Sequence, residues 1–340
     1  MANSPQAGTV RLILGGDVML GRHVGQHIAQ QGADYPLGAV AGLMRAADLT
    51  IVNLECAITP SADIWSGAPK AFYFGAPPQA INTLLGAGID MVCLANNHIL
   101  DFGVRGLLDT IKSLETYKIG HAGAGIDIAA AASAALAERH GLRFGMVAFC
   151  DHQEDFAVQP DRPGMAYLDI EDEHATITAL RKALRGLRGI AVDWPILSLH
   201  WGPNMVFQPS TRFRRVAHAA IDMGWKIIFG HSAHVFQGVE LYRDCPIIYA
   251  AGDLIDDYTV DKEFKNDHQL LFELEIEGSR LVAMHLHPVF IANCRTGIAS
   301  QQQSEYISRW MTKLCSELGT RLQQEDGKLT IRCAHSRPQH

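Results

Sequence analysis

The sequence predicts an α/β protein with a mixed central sheet, and three observations carry that prediction. Seven short runs of β-branched or apolar residues, each of strand length, recur between Val10 and Tyr249. Segments with apolar residues at helical spacing lie between them, the alternation expected of strands packed under helices. Two later runs, Leu270 to Glu277 and Arg280 to His287, are split by Glu277-Gly278-Ser279 and read as an antiparallel hairpin, which makes the sheet mixed.

In chain order the strand candidates are Val10 to Leu14, Leu49 to Leu54, Met91 to Leu94, Phe144 to Phe149, Pro195 to Leu199, Lys226 to Phe229 and Pro246 to Tyr249. Val104 to Tyr117 is a helix candidate, because apolar residues at 104, 107, 108, 111 and 114 form one stripe at a period of 3.6. Glu171 to Leu187 and Thr211 to Met223 repeat the pattern. Ser304 to Gln323 reads as a last helix, so the expected division is a main domain over 1–300 and a C-terminal helical extension over 301–340. Thr59 to Pro78 is the longest irregular polar segment, and it reads either as a substrate loop or as a plain surface excursion.

Composition narrows the function classes. With 340 residues, 48% hydrophobic and 19% charged, the chain can build a large core. A net charge of -7 without a Lys/Arg cluster gives no footprint for nucleic acid or for an anionic membrane, so a small-molecule partner is expected. The N-terminal Met1-Ala2-Asn3-Ser4-Pro5-Gln6-Ala7-Gly8 lacks the basic and apolar regions of a signal peptide, and no apolar run reaches about 18 residues. The expectation is a soluble, cytoplasmic protein. Seven cysteines without a C-x-x-C pair fit reduced thiols, most of them small buried hydrophobes, better than a disulfide framework.

The most informative residues stand where each strand candidate ends. The runs deliver Gly15-Gly16-Asp17, Asn53-Leu54-Glu55, Ala95-Asn96-Asn97-His98, His200-Trp201-Gly202, Gly230-His231-Ser232-Ala233-His234 and Ala251-Gly252-Asp253. Ligands of open α/β sheets bind outside the carboxyl ends of the strands, so these residues can converge although they are far apart in sequence. A single strand-end Asp is ordinarily a helix cap or turn former, and a lone His beside an apolar run is ordinarily a satisfied core residue. Six such ends together point instead to a metal site. Carboxylates, an amide oxygen and imidazoles without cysteine suit Mn, Fe or Zn. Gly123-Ala124-Gly125 is a poor dinucleotide fingerprint, since Ile128 replaces its third glycine, and neither a P-loop nor a G-x-S-x-G elbow is present. Cys56 beside Glu55 reads as packing rather than as a nucleophile.

Gly16-Asp17-Val18-Met19-Leu20, Val52-Asn53-Leu54-Glu55, Ala95-Asn96-Asn97-His98 with Asp101 and Gly103, His200-Trp201-Gly202, and Gly230 to His234 followed by Val235 and Gln237 resemble the CapA family. These capsule synthesis proteins are associated with poly-γ-glutamate and look like a branch of the calcineurin-like metallophosphoesterases. The resemblance runs in order from about residue 10 to about residue 258, with the Asn-Asn-His-x-x-Asp-x-Gly block as its most specific part. It implies a four-layer α-β-β-α sandwich with divalent metal ions, commonly two, at the strand ends. It further implies Asp17 on one metal, Asn53 and Glu55 as the bridging or second ligand, Asn97 through its amide oxygen, and His200, His231 and His234 completing the shell. His98 becomes the proton donor to the leaving group, with Asp101 in the same catalytic block.

The chain departs from the family pattern at several points. Met19 stands at the second position of the wider Asp-x-His motif, Ser232 at the first histidine of His-Pro-His, Asn204 at a Glu, and Asp253 at the Asn of Gly-Asn. The expected function is a metal-dependent hydrolase acting on a γ-glutamyl amide or a phosphoester. The alternatives are a non-catalytic binding or assembly subunit with a degenerate metal site and, with least support, a single-iron lyase or oxidase.

Overall fold

The computed structural model describes residues 8–325 and 328–333. In chain order its elements begin with β1 (Thr9–Val18), α1 (Arg22–Gln31), α2 (Val40–Arg45), β2 (Leu49–Leu54), β3 (Ala57–Ile58), β4 (Gly75–Ala76) and α3 (Ile81–Ala87). Next come β5 (Met91–Cys93), α4 (Gly103–Thr116), β6 (Gly120–Ala122), β7 (Ala124–Gly125), α5 (Ile128–Ala131), β8 (Ala135–Arg139), β9 (Leu142–Cys150) and β10 (Gly164–Met165). The third stretch holds α6 (Glu173–Gly189), β11 (Trp194–His200), α7 (Thr211–Met223), β12 (Ile227–His231), β13 (Val239–Tyr242), β14 (Cys245–Ile248) and β15 (Asp253–Ile255). The last holds β16 (His268–Glu277), β17 (Arg280–Ala292), β18 (Arg295–Ile298), α8 (Gln301–Glu317), β19 (Gln323–Glu325) and β20 (Lys328–Arg332).

Two mixed sheets dominate this α/β fold. The larger has ten strands on a path β19-β20-β17-β16-β1-β2-β5-β6, with β15 beside β1 and β18 beside β17. β1, β2, β5 and β6 run parallel, while the β16–β17 hairpin is antiparallel and joins at β1. The smaller sheet, β13-β14-β12-β11-β9-β8, is parallel through β9, β11, β12 and β14, with antiparallel edge pairs. β2 and β11 are buried along their whole length, which is why their sequences are nearly continuous apolar runs.

The two-residue alternation within the smaller sheet decides where the polar residues go. Val147, Leu197, Leu199 and Ile228 face α6 and α7, packing on Leu180, Leu184, Val216 and Ile221. Phe144, Met146, Ile196, Ile227 and Phe229 face the other way, into a core shared with the larger sheet. Ser198, His200 and His231 continue that second register, so both histidines point between the sheets.

Several boundaries differ from the sequence reading. β1 continues to Val18, so Asp17 lies within the strand, and its pairing with β2 shifts register between Leu14 and Asp17. The last helix starts at Gln301, where Ser300 and Gln303 form a reciprocal capping box, and ends before Gly319, whose φ is 78°. The expected helical extension is therefore helical only over Gln301–Glu317. β19 and β20 follow as a hairpin, and β20 pairs with β17 at the edge of the larger sheet. The rest of that extension, 334–340, lies outside the described residues.

A close approach between two strands brings the site's backbones together. Gly16 packs against Gly252 so tightly that a β-carbon would sit 1.9 Å from the Gly252 carbonyl oxygen. Asp17 N donates to that same oxygen at 2.9 Å, and the register places Asp17 opposite Asp253. Gly16→Ala should therefore destabilise the protein by about 3 kcal/mol or more, read as a lower urea midpoint at unchanged m-value. A change below about 0.5 kcal/mol would contradict this packing.

Glu273 joins three strands of the larger sheet. It accepts from Arg11 Nε at 2.6 Å on β1 and pairs with His287 Nε2 at 2.7 Å on β17. Burial alone would raise this carboxyl, but the hydrogen bonds from His287 and Arg11 prevail and hold it at about 2, below its ordinary 4.5. Because the folded value is the lower one, the stabilisation is present above about pH 4.5 and is lost as pH falls toward 2. Glu273→Gln should cost about 2 kcal/mol at pH 7, with the difference from the parent shrinking in acid, as measured by urea unfolding across pH.

Candidate metal centre

Parallel strand ends assemble the site. Asp17 of β1 stands opposite Asn53 of β2 and Asp253 of β15, and His200 of β11 stands opposite His231 of β12. Two sets of ligand atoms result, each lying within 4.8 Å of one another: Asp17 with His200 and His231, and Asp17 with Glu55, His234 and Asp253. Asp17 belongs to both. His234 is the member nearest solvent, with 12% of its side chain exposed.

The electrostatics of this cluster are compatible with bound cations. Glu55 Oε1, Asn97 Oδ1 and Asp253 Oδ2 are buried without any hydrogen-bond partner, an arrangement that costs each group its lost hydration. Burial pushes the Asp17 carboxyl up to about 6, even against the attraction of His234. Burial, reinforced by the neighbouring Asp17 carboxylate, raises both Glu55 and Asp253 well above the usual carboxylate range. His200 is held well below its ordinary value by burial and by the neighbouring histidines, and burial lowers His231 to about 3. Neutral imidazoles beside strained carboxylates form a donor set compatible with divalent metals, and no cysteine takes part.

The surrounding residues fix the donor atoms. Ser198 Oγ lies 2.8 Å from His231 Nε2, turning Nδ1 toward His200 Nδ1 at 2.9 Å and Asp17 Oδ1 at 3.8 Å. His234 Nδ1 lies 2.9 Å from Asp253 Oδ1 and 3.8 Å from Asp17 Oδ2. Asn53 donates Nδ2 to Asp17 Oδ1 at 2.8 Å, while its Oδ1 accepts from Asn96 at 3.1 Å, so in this geometry it braces Asp17. Ser232, at φ 103°, donates its backbone N–H to Asp17 Oδ2 at 3.2 Å and its hydroxyl to the Gly202 carbonyl at 3.3 Å. That backbone conformation is costly for a serine and is maintained by these bonds. Asn204 is exposed and lies outside both ligand sets.

His98 belongs to neither ligand set. Its Nδ1 is 2.5 Å from Asp101 Oδ2, and its ring stacks on Phe74 at 3.8 Å. Burial lowers its pKa to about 4 despite the Asp101 hydrogen bond, so the ring is neutral near pH 7. Asp101 also accepts from Phe74 N at 2.7 Å and pairs with Lys70 Nζ at 2.5 Å, and Lys70 bonds the Asn97 carbonyl as well. The long segment after Thr59 is therefore pinned over His98 by one carboxylate.

Asp253 and His152 are the residues that the sequence reading did not place in the site. Asp253 stands at one of the six strand ends, so the signal was present although the family pattern expects Asn there. His152 sits 2.7 Å from Asp151 Oδ1 and 3.1 Å from Ser232 Oγ, with its ring edge-on to His200. Nothing in its local sequence marks it. Cys56 is buried, with burial raising its thiol to about 12, as fits packing.

Fold and site together define a mixed α/β protein with a candidate divalent-metal cluster at the carboxyl ends of its strands. Residues 11–258 match the family described as bacterial capsule synthesis protein PGA_cap, and the chain belongs to that family. It is 29% identical to a probable polyglutamine synthesis accessory protein of Mycobacterium tuberculosis, over 95% of each chain. It is 26% identical to the capsule biosynthesis protein CapA of Bacillus anthracis, over 94% of this chain and 77% of that one. It is also 26% identical to the PGA biosynthesis protein CapA of Bacillus subtilis, over 94% and 82% of the two chains.

Asp17→Ala and His234→Ala should each remove most of the metal that co-purifies with the parent while leaving the fold intact, because neither side chain contributes to the apolar core. Elemental analysis beside far-UV circular dichroism checks this. Retention of the parent's metal content by both variants would place the metal elsewhere.

Proposed function

We propose that the protein is a metal-dependent hydrolase holding two divalent ions, Mn, Fe or Zn. The observation that carries this reading is Asp17, one carboxylate common to two ligand sets, so that two cations would both be held by this side chain. His200 and His231 would complete one set, and Glu55, His234 and Asp253 the other, with the unpartnered Asn97 Oδ1 available to join. The expected four-layer α-β-β-α, metallophosphoesterase-like sandwich is part of the same reading. It is supported by α6 and α7 on the smaller sheet and by residues of α2, α3 and α4 in the core of the larger. A cytoplasmic setting also belongs to it, supported by seven free cysteines, although location itself is a matter for fractionation. No helix among the described residues is long and apolar enough to cross a membrane.

When bound, the metal ions supply Lewis-acid activation of water and of the attacked centre. The chain's own residues do the rest. Asp101 holds His98 Nδ1, leaving Nε2 as the ring nitrogen free to take a proton and pass it to the leaving group. Phe74 fixes the ring plane by stacking, and Lys70 pairs with the Asp101 carboxylate beside it. Tyr258, whose hydroxyl lies 3.4 Å from Glu55 Oε2, packs against both Phe74 and His234 and screens the cluster from water.

The named relatives favour a γ-glutamyl amide over a phosphoester, since their descriptions concern polyglutamine, PGA and capsule synthesis. The same word "accessory" motivates the second reading, a metal-binding subunit that assists synthesis without catalysis. Metal-loaded protein assayed against panels of γ-glutamyl peptides and phosphoesters separates the readings; full metal content with no turnover of either panel favours the subunit. His98→Asn should keep the metal and lower turnover by about a hundredfold, the loss expected for a proton-transfer group. Parallel loss of metal and activity would make His98 a ligand instead.

A further inference from the structure

The turns that follow β11 and β12 are tied together by two residues from a third strand end, Asp151 and His152, directly after β9. His152 Nε2 lies 2.7 Å from the Gly202 carbonyl oxygen and 3.1 Å from Ser232 Oγ. A carbonyl oxygen only accepts, so Nε2 carries a proton and donates it there. Nδ1 pairs with Asp151 Oδ1 at 2.7 Å. Asp151 Oδ2 accepts from Gly202 N at 3.2 Å, and the Asp151 amide donates to the His200 carbonyl at 3.1 Å. Gly202 is therefore held at both of its backbone polar groups, its N–H by Asp151 and its carbonyl by His152 and the Ser232 hydroxyl. Both ring nitrogens of His152 are engaged, and neither is left to pass a proton to a substrate.

This arrangement bears on one oxygen of Asp17. Oδ1 is braced by Asn53 Nδ2 at 2.8 Å and lies 3.8 Å from His231 Nδ1. Oδ2 is braced instead by the Ser232 backbone N–H at 3.2 Å and lies 3.8 Å from His234 Nδ1. The two oxygens thus face histidines of different ligand sets and have different braces. Ser232 presents its N–H to Oδ2 at φ 103°, a conformation that favours glycine and strains a serine. Trp201 N and Met205 N hold the carbonyls of His231 and Ala233, which fixes the ends of the turn. Ser232 Oγ, caught between Gly202 and His152, is the hold on its middle residue.

We infer that Asp151 and His152 are positioning residues for the metal ion on the Oδ2 side of Asp17, acting through the Ser232 turn rather than by touching metal or substrate. The inference rests on the proposed two-ion centre, whereas the hold on the Ser232 turn itself needs no metal.

Titration of the metal-stripped, full-length protein with cobalt(II), followed by visible absorption and chelator competition, resolves the binding steps. His152→Ala should weaken one step about tenfold and leave the other within about twofold, as expected for loss of an outer brace on a ligand. His152→Gln, whose amide nitrogen can donate in place of Nε2, should restore most of the affinity. Asn53→Ala removes the brace on Oδ1 and should weaken the other step. In a Ser232→Gly protein, where glycine adopts φ 103° without strain and no hydroxyl remains, His152→Ala should add less than about twofold. Hydrogen exchange of the metal-free protein, read by mass spectrometry, gives a measure independent of metal: residues 229–236 should exchange faster in His152→Ala than in the parent, and at the parent's rate in His152→Gln. Equal weakening of both steps by His152→Ala, weakening of the same step by His152→Ala and Asn53→Ala, unchanged exchange in His152→Ala, or a tenfold loss that persists in the Ser232→Gly background would each overturn the inference. A parent that binds no cobalt sinks the metal centre and the inference together, whereas two binding steps that His152→Ala leaves unchanged sink the inference alone.

Discussion

Three carboxylates held together out of water are the constraint around which this structure is organised. Asp17, Glu55 and Asp253 place ligand oxygens within 4.8 Å of one another, and none of the three residues is more than 1% exposed. Like charges at that spacing in a medium of low polarity repel strongly, and each also loses its hydration. Such a cluster persists only where the surrounding fold over-determines the backbone or where cations offset the charge. The first is visible here in parallel strands locked in register by a glycine pair, while His200 and His231 beside the carboxylates are neutral donors that offset no charge.

The supporting residues divide the work by the kind of hydrogen bond they can make. Asn53 and the Ser232 amide donate to Asp17 and favour its charged form. Ser198 acts one step further out, by fixing which nitrogen of His231 faces the cluster. Asp101 does not touch the ligand sets. It gathers His98, Lys70 and the Phe74 amide, so one carboxylate orients the candidate proton carrier and anchors a long loop over it. Ile64 and Phe72 of that loop remain more than half exposed.

The departures from the family pattern acquire physical content in the three-dimensional arrangement. Asp253 is a carboxyl ligand candidate in place of an amide, and burial beside Asp17 holds it well above the usual carboxylate range. Ser232 supplies no imidazole, and His152 reaches its hydroxyl from another loop. Asn204 lies in solvent and changes nothing within the ligand sets. Of these three polar departures, two alter the donor composition of the site and one does not.

Nine of the strands, the helices Gly103–Thr116 and Thr211–Met223, and the list of polar strand ends were legible in the sequence, because apolar periodicity and residue type are local properties. What only the tertiary structure decided is long-range. The register shift in β1 and the contact of Gly16 with Gly252 bring Asp17 beside Asp253, two residues more than two hundred positions apart. β19 and β20 are short and largely polar; β20 becomes a strand because β17 offers it an open edge, and β19 pairs with β20 in turn. His152 enters the site through a loop with no periodic signal, and Asn53 turned out to donate to Asp17. Hydrogen-bond direction and strand register depend on partners distant in sequence, and no pattern within a single segment carries that information.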